Sequence, residues 1–289
     1  MTSVPSAAGN LLLGPLSLDL YRDGTVQPGG GALNMAWHWR TLGVPFHFLT
    51  RVGSDHREIA LGLLDRHGIG YSTASVVGEG ASATVEIEIL PDGQPHMDRF
   101  EDGVWADYRS TPDEEALIAL PGRLHVVLVE GAIAELGRLH GAGMLLEREV
   151  SADFLGFRHY TVERFADTMA AIDVAFIGWP GDRDDLTRAG LRDVVHGLGR
   201  LLVVTLGSRG VQVFDGRPGG SDRWFDVTPV PVEGTTVGCG DAFIAWFLAE
   251  FWRTRDLAAA VERGKIGGAM ATHWRHPLPD EAYGSDGER

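Results

Sequence analysis

Gly238, Gly240 and Asp241 lie in the run Gly234-Thr235-Thr236-Val237-Gly238-Cys239-Gly240-Asp241-Ala242-Phe243, which leads directly into the apolar stretch from Ile244 to Trp252. Glycines at a helix start let the backbone turn tightly, so that unpaired N–H groups of the first turn, around Gly238, Cys239 and Gly240, can point at one anion. Such donors stabilise charge that builds on a phosphoryl group in flight. Asp241 beside them is placed to take the proton of a hydroxyl that attacks that group. The same residues also read as a tight turn with Asp241 as helix N-cap, a feature worth about 1 kcal/mol. Spacing alone leaves the two readings level.

Lys265 is the only lysine in 289 residues, and it sits in Arg263-Gly264-Lys265-Ile266-Gly267-Gly268. A phosphate-binding P-loop needs Gly-Lys-Ser/Thr and a protein kinase needs a strand lysine, so both of those nucleotide sites are excluded. The formal net charge of −15 repels polyanions and leaves no electrostatic footprint for nucleic acid or an acidic membrane. An anionic ligand then needs a local positive site, which a glycine-led helix start supplies. Cys239 is the single cysteine; no intramolecular disulfide can form, and the cytoplasm is the default expectation. As a nucleophile Cys239 lacks a base, and a small buried thiol packs much like alanine. The most apolar later stretch, Ala242 to Trp252, is short and carries Glu250, so neither a membrane span nor an export signal is expected. His273 and His276 have no third ligand close by and are expected at a solvated helix end rather than on zinc.

The elements that must position this chemistry follow from hydrophobic period. Leu11 to Leu20 reads as a strand, and Gly29-Gly30-Gly31 leads into a helix from Leu33 to Leu42. A strand over Pro45 to Val52 and a helix from Glu58 to His67, stopped by Gly68, come next. In Ala83 to Leu90, Val85, Ile87 and Ile89 alternate with Glu86 and Glu88, the period of a half-exposed strand, and Pro91-Asp92-Gly93 supplies a turn. With the continuation to Tyr108 this makes an antiparallel insertion whose apolar face needs a cover, either a substrate or a homodimer contact. The runs Val126 to Val129, Val174 to Ile177 and Leu201 to Leu206 are continuous and apolar, as buried parallel strands are, with helix-like stretches such as Thr161 to Ala171 between them. The expectation is one α/β domain over residues 1–289, with lid segments at about 15–28 and 83–108 and a polar, frayed tail after Pro277.

The motifs resemble those of the ribokinase-like (PfkB) carbohydrate kinases. That family's C-terminal signature is Asp-Thr-x-Gly-Ala-Gly-Asp-x-Phe, matched here at Thr236, Gly238, Gly240, Asp241 and Phe243. Its N-terminal signature is similar to Gly29-Gly30-Gly31-Ala32-Leu33-Asn34-Met35-Ala36, then Leu42-Gly43 and Val52-Gly53-Ser54-Asp55. Val204-Thr205-Leu206-Gly207-Ser208-Arg209-Gly210 resembles its strand and turn beside the nucleotide. The resemblance implies a three-layer α/β/α domain with a mainly parallel sheet and a small β lid. It also implies ATP with Mg2+, a small sugar-like acceptor, and Asp241 as base beside Gly238, Cys239 and Gly240. By the same resemblance Asp19, Gly29, Gly30 and Asn34 contact sugar hydroxyls and Glu130 reaches the sugar, while Thr205, Gly207, Gly210, Gly267 and Gly268 line the nucleotide cleft.

Departures from the family pattern narrow these implications. Thr235 stands where the family has Asp and Cys239 where it has alanine, against a monovalent-cation site. The family's Asn-x-x-Glu, which helps organise magnesium, is absent from Ile177-Gly178-Trp179-Pro180-Gly181-Asp182; Asp182 is the one substitute in that stretch, and Mg2+ can instead arrive on the nucleotide with its waters. Glu101-Asp102-Gly103-Val104-Trp105-Ala106-Asp107-Tyr108 and Ser151-Ala152-Asp153-Phe154 look like the fructoselysine (fructosamine) kinase branch. Of Trp105 and Tyr108, one is expected in the core and the other is open to packing on a sugar. A nucleoside kinase and a non-catalytic sugar or nucleotide sensor stay open as alternatives. A dehydrogenase is disfavoured, because Gly238-Cys239-Gly240 lacks the later glycine and the ribose-binding acid of a dinucleotide fingerprint.

Overall fold

The computed structural model of the protein describes residues 9–76, 79–157, 160–181 and 185–284. Its elements form a three-layer α/β/α fold with a mainly parallel sheet and a smaller β-sheet. The chain divides into two compact units, one of Leu11–Arg109, Val129–Gly131 and the chain from Val230, the other of Ser110–Leu128 and Ala132–Pro229 with the chain up to Asn10.

The first half contains β1 (Asn10–Leu13), β2 (Ser17–Tyr21), β3 (Val26–Gly29), α1 (Gly31–Thr41), β4 (Phe46–Leu49), α2 (Arg57–Arg66), β5 (Ala83–Ile89) and β6 (Pro95–Glu101). The single strand expected over Leu11 to Leu20 is two, because Gly14 and Pro15 interrupt it: β1 joins β4, and β2 enters a four-stranded sheet in the order β3-β2-β5-β6. There β2 runs antiparallel to β3 and parallel to β5, with Asp19 opposite Gln27 and Val85. The β5–β6 hairpin turns at Asp92 and Gly93, and Gly93 takes a φ of 77° that suits glycine. On β6, Met97 and Phe100 remain 42% and 47% exposed. Trp105 and Tyr108 both lie in the core, stacked at 4.3 Å and 8°. The indole N–H of Trp105 donates to the Arg51 carbonyl at 3.1 Å, so neither ring is left to face a sugar.

The chain continues through α3 (Pro112–Ile118), β7 (Gly122–Val127), α4 (Glu130–Gly141), β8 (Arg148–Asp153), α5 (Val162–Met169), β9 (Val174–Gly178), α6 (Thr187–Leu198), β10 (Leu201–Thr205), β11 (Val211–Asp215) and β12 (Arg223–Phe225). In this unit β7, β8, β9 and β10 are parallel neighbours and β11 and β12 follow antiparallel. Helix α3 opens with Pro112 and a capping box in which Thr111 and Glu114 satisfy each other's backbone N–H. Strand β8 was not expected, because Arg148 and Glu149 hide its period. Arg148 is nonetheless buried, donating to the carbonyls of Ile118, Arg123 and Gly9 at 2.6, 2.9 and 3.0 Å.

The last stretch, in the first unit, is α7 (Cys239–Thr254), α8 (Leu257–Ala271) and α9 (Asp280–Tyr283). Helices α7 and α8 pack closely: a Cβ at Gly264 would lie 2.9 Å from the Phe243 ring and one at Gly267 would lie 2.6 Å from Trp246. Among the described residues after Pro277, Leu278 and Ala282 are buried and α9 forms, where a frayed tail was expected. Burying those two side chains offsets the ordering cost of a short terminal segment.

Candidate active site

Helix α7 starts behind Gly238, whose φ of 79° makes it the N-cap, and no side chain caps this end. Asp241 therefore stands in the first turn of the helix as its third residue, and the N-cap reading of its carboxylate does not hold. Of the amides expected to face an anion, that of Cys239 is already engaged, donating to the Thr236 carbonyl at 3.3 Å. The amides of Gly240 and Asp241 have no intrahelical acceptor, as in any first helical turn. Gly240 is exposed, and a Cβ there would meet nothing within 4 Å.

A second helix start lies beside the first. Asn34 of α1 meets Asp241 of α7, and further along Trp39 donates its indole N–H to the Ala245 carbonyl at 3.1 Å. Because both contacts advance in the same direction along the two helices, α1 and α7 run parallel and begin together. The N-cap of α1 is Gly30, with a φ of 94° and again no side-chain cap. Two uncapped helix N-termini, each carrying partial positive charge, thus meet at one place.

The Nδ2 group of Asn34 donates to Asp241 Oδ2 at 2.8 Å, while its Oδ1 is buried without a partner. Asp241 is consequently held by a neutral amide and not consumed by an ion pair. Burial pushes its carboxyl up to about 6 against the lowering effect of the Asn34 bond. Asp19, only 2% exposed, is pushed up to about 7 by burial first and then by the charge of Asp241, opposed by a hydrogen bond from Ser17. A Cβ at Gly29 would lie 2.2 Å from the Asp19 carboxyl, and one at Gly30 would lie 2.9 Å from Pro15 O and Ser17 Oγ. Both glycines are therefore required for β2 and the turn into α1 to approach. A buried carboxylate, a half-buried one, an orphaned amide oxygen and free helix-start donors can together bind a polyhydroxyl compound, take a proton from it and stabilise an anion.

The remaining expected residues divide. Cys239 is half-buried, with its sulfur 3.9 Å from the Thr235 carbonyl, and burial followed by the charge of Asp241 pushes its thiol up to about 12. It is inert at neutral pH. Gly268 sits against the start of α7, 3.3 Å from the Cys239 carbonyl when given a Cβ, whereas Gly267 is buried in the α7–α8 seam and serves packing. Glu130 is exposed at the start of α4, and its charge adds to burial in raising the Asp102 carboxyl. Thr205, Gly207 and Gly210 belong to the other compact unit. There Gly207 has a φ of 60° and open space where a Cβ would go, while Gly210 is closed in by Trp224 at 2.3 Å. Asp182 lies outside the described residues. His276 is no solvated histidine: it packs edge-on between Tyr21 at 5.1 Å and Tyr283 at 5.8 Å. His273 meets Glu233 Oε2 at 2.9 Å.

Two groups of residues near the site escaped the sequence reading. Ser17 sits two residues before Asp19, on the same face of β2, a spacing that strand periodicity could have flagged. The hydroxyl of Tyr21 is buried without a partner, and the hydroxyls of Tyr21 and Tyr283 are both raised by burial and by the charge of Asp19. No local signal ties Tyr283 to a strand at the other end of the chain.

The description "pfkB family carbohydrate kinase" belongs to the family model that matches residues 175–274. Fructoselysine 6-kinase of Escherichia coli is 27% identical over 238 residues, 82% of this chain and 86% of that protein. Cytidine kinase of Thermococcus kodakarensis is 27% identical over 277 residues, 88% and 92% of the two chains. Among solved structures, Arabidopsis thaliana ribokinase complexed with ribose and ATP superimposes with a TM-score of 0.74 at 17% identity, covering 96% of this chain and 97% of that one. The fold is ribokinase-like.

Within this ribokinase-like fold, Thr235 stands at the start of the glycine loop. Its side chain is fully buried, donates to the Gly93 carbonyl at 3.2 Å and accepts the Val237 N–H at 3.2 Å. A neutral hydroxyl completes the loop through the protein's own backbone. Among the described residues no three His, Cys, Asp or Glu side chains gather as a metal site.

Proposed function

We propose that the protein is an ATP-dependent kinase that transfers the γ-phosphoryl group to a hydroxyl of a small sugar or sugar derivative. The observation that carries this reading is Asp241, held by Asn34 in the first turn of an uncapped helix and flanked by the buried carboxylate of Asp19. Asp241 takes the proton of the acceptor hydroxyl as it attacks, and the amides of Gly240 and Asp241 stabilise the charge on the migrating group. Asp19 and the free Oδ1 of Asn34 hold neighbouring hydroxyls, while Gly29 and Gly30 let the acceptor approach the backbone. Gly268, against the start of α7, is assigned to the nucleotide. Mg2+ enters on the ATP phosphates with water as its remaining ligands. A second copy of the chain, or the substrate, would cover the exposed Met97 and Phe100 of β6.

The likeness to fructoselysine 6-kinase favours a ketose-derived acceptor, and the likeness to cytidine kinase keeps a nucleoside as the second reading. Buried carboxylate and amide oxygens suit the several hydroxyls that either acceptor presents. ADP release measured with ribose, fructose, fructoselysine, cytidine and adenosine tests the proposal. Turnover with at least one, abolished in Asp241→Asn, is expected; binding without ADP release across the panel would instead mark a sensor.

A further inference from the structure

The strap Gly234-Thr235-Thr236 that feeds α7 is gripped by the tip of the β5–β6 hairpin. The Thr236 N–H donates to the Gly93 carbonyl at 3.0 Å, the Thr235 hydroxyl donates to the same carbonyl at 3.2 Å, and the Thr236 hydroxyl donates to Gln94 Oε1 at 3.1 Å. The contact admits no side chain on the hairpin, since a Cβ at Gly93 would lie 2.5 Å from Val232 Cγ1 and 3.2 Å from the Gly234 carbonyl. On its other side the strap is pinned to the end of α8: the Gly234 N–H donates to Thr272 O at 2.9 Å and the Thr235 N–H to Trp274 O at 2.8 Å. Only Val237 and Gly238 separate Thr236 from the first residue of α7. The strap cannot shift without moving the Gly240 and Asp241 amides.

Strand β5 also pairs in register with β2, placing Val85 opposite Asp19. One hydrogen-bonded sheet thus reaches from the carboxylate that would hold the acceptor to the strap that sets the phosphate-facing helix start. We propose that Gly93, Gln94, Thr235 and Thr236 form a positioning latch that makes the acceptor sheet and the start of α7 move as one body. A sheet unlatched from α7 leaves the helix donors misaligned with the acceptor hydroxyl, and alignment errors near 1 Å are costly in group transfer. The latch rests on the kinase reading for its purpose but not for its existence.

The test pairs an activity-free measurement with a kinetic one on the full-length protein. In hydrogen exchange without any ligand, Thr236→Val and Gly93→Ala should speed exchange over residues 234–241 at least tenfold, while Thr236→Ser, which keeps the hydroxyl, should restore protection. Unchanged exchange in both disruptive variants overturns the latch, whatever the enzyme's activity. With whichever of ribose, fructoselysine and cytidine the wild type phosphorylates, Thr236→Val should lower kcat about tenfold at an acceptor KM within twofold of wild type. An equal loss in Thr236→Ser, or a loss confined to KM, overturns the positioning role. No turnover by the wild type on any probe would sink the kinase reading alone, and the exchange result would still decide the latch.

Discussion

Asp19→Asn is expected to stabilise the protein at alkaline pH while weakening acceptor binding. The folded protein raises the Asp19 carboxyl from 3.8 to about 7. Folded Asp19 therefore keeps its proton between those two values, whereas the unfolded chain has lost it. Stability then falls as pH rises across the window, and the cost is complete above pH 7. A rise of about three, at 1.36 kcal/mol each, amounts to about 4 kcal/mol as an upper bound. Asparagine carries no charge to desolvate, so the variant should gain little at pH 4 and up to about 4 kcal/mol at pH 8. Urea unfolding of both proteins at pH 4, 6 and 8 reads the difference directly. A gain that is the same at all three values, or a variant less stable at pH 8, would refute the buried-carboxylate reasoning. On the kinase reading the acceptor KM of this variant rises while that for ATP holds.

Other expectations follow from the same geometry. The logarithm of kcat/KM should climb with unit slope at acid pH and level off near 6, where Asp241 ionises; Asp241→Asn should remain folded and lose about a thousandfold or more in kcat, and a limb unmoved in position with activity intact would remove Asp241 as the base. Gly240→Ala and Gly238→Ala should separate chemistry from folding: the first has open space and a helical position, so its melting temperature should hold or rise while phosphate binding suffers. The second forces a Cβ to 2.9 Å from Pro277 at a φ of 79° and should lose about 1–3 kcal/mol by chemical unfolding. Cys239, with a thiol near 12, should resist iodoacetamide at pH 8 over times that label a free thiol, and rapid inactivation would contradict its assignment as an inert packing residue.

Much of the site was legible because its signals are local. Gly238, Gly240 and Asp241 announce a glycine-led helix start within four residues, and Gly29-Gly30 announces another. The absence of any lysine but Lys265 directs attention to backbone donors. The alternating Val85, Ile87 and Ile89 identified β5, and the apolar runs identified β7, β9 and β10. Other elements were hidden for stated physical reasons. The buried Arg148 of β8 looks like surface until four carbonyls are seen to accept from it. One of Trp105 and Tyr108 looked available to a ligand, but the two rings stack on each other in the core, and the polar tail gave no hint that Leu278 would find a core.

The amino-acid order alone determined where the backbone must turn, which stretches become strands and helices, and which residue types could do phosphoryl chemistry, because those properties depend on neighbours a few positions away. Tertiary structure alone decided that Asn34 would hold Asp241 across 207 residues, that Asp19 would lie buried beside them, and that Gly93 would grip Thr236. Those outcomes depend on desolvation and on hydrogen bonds of about 3 Å, and both exist only once distant segments have packed.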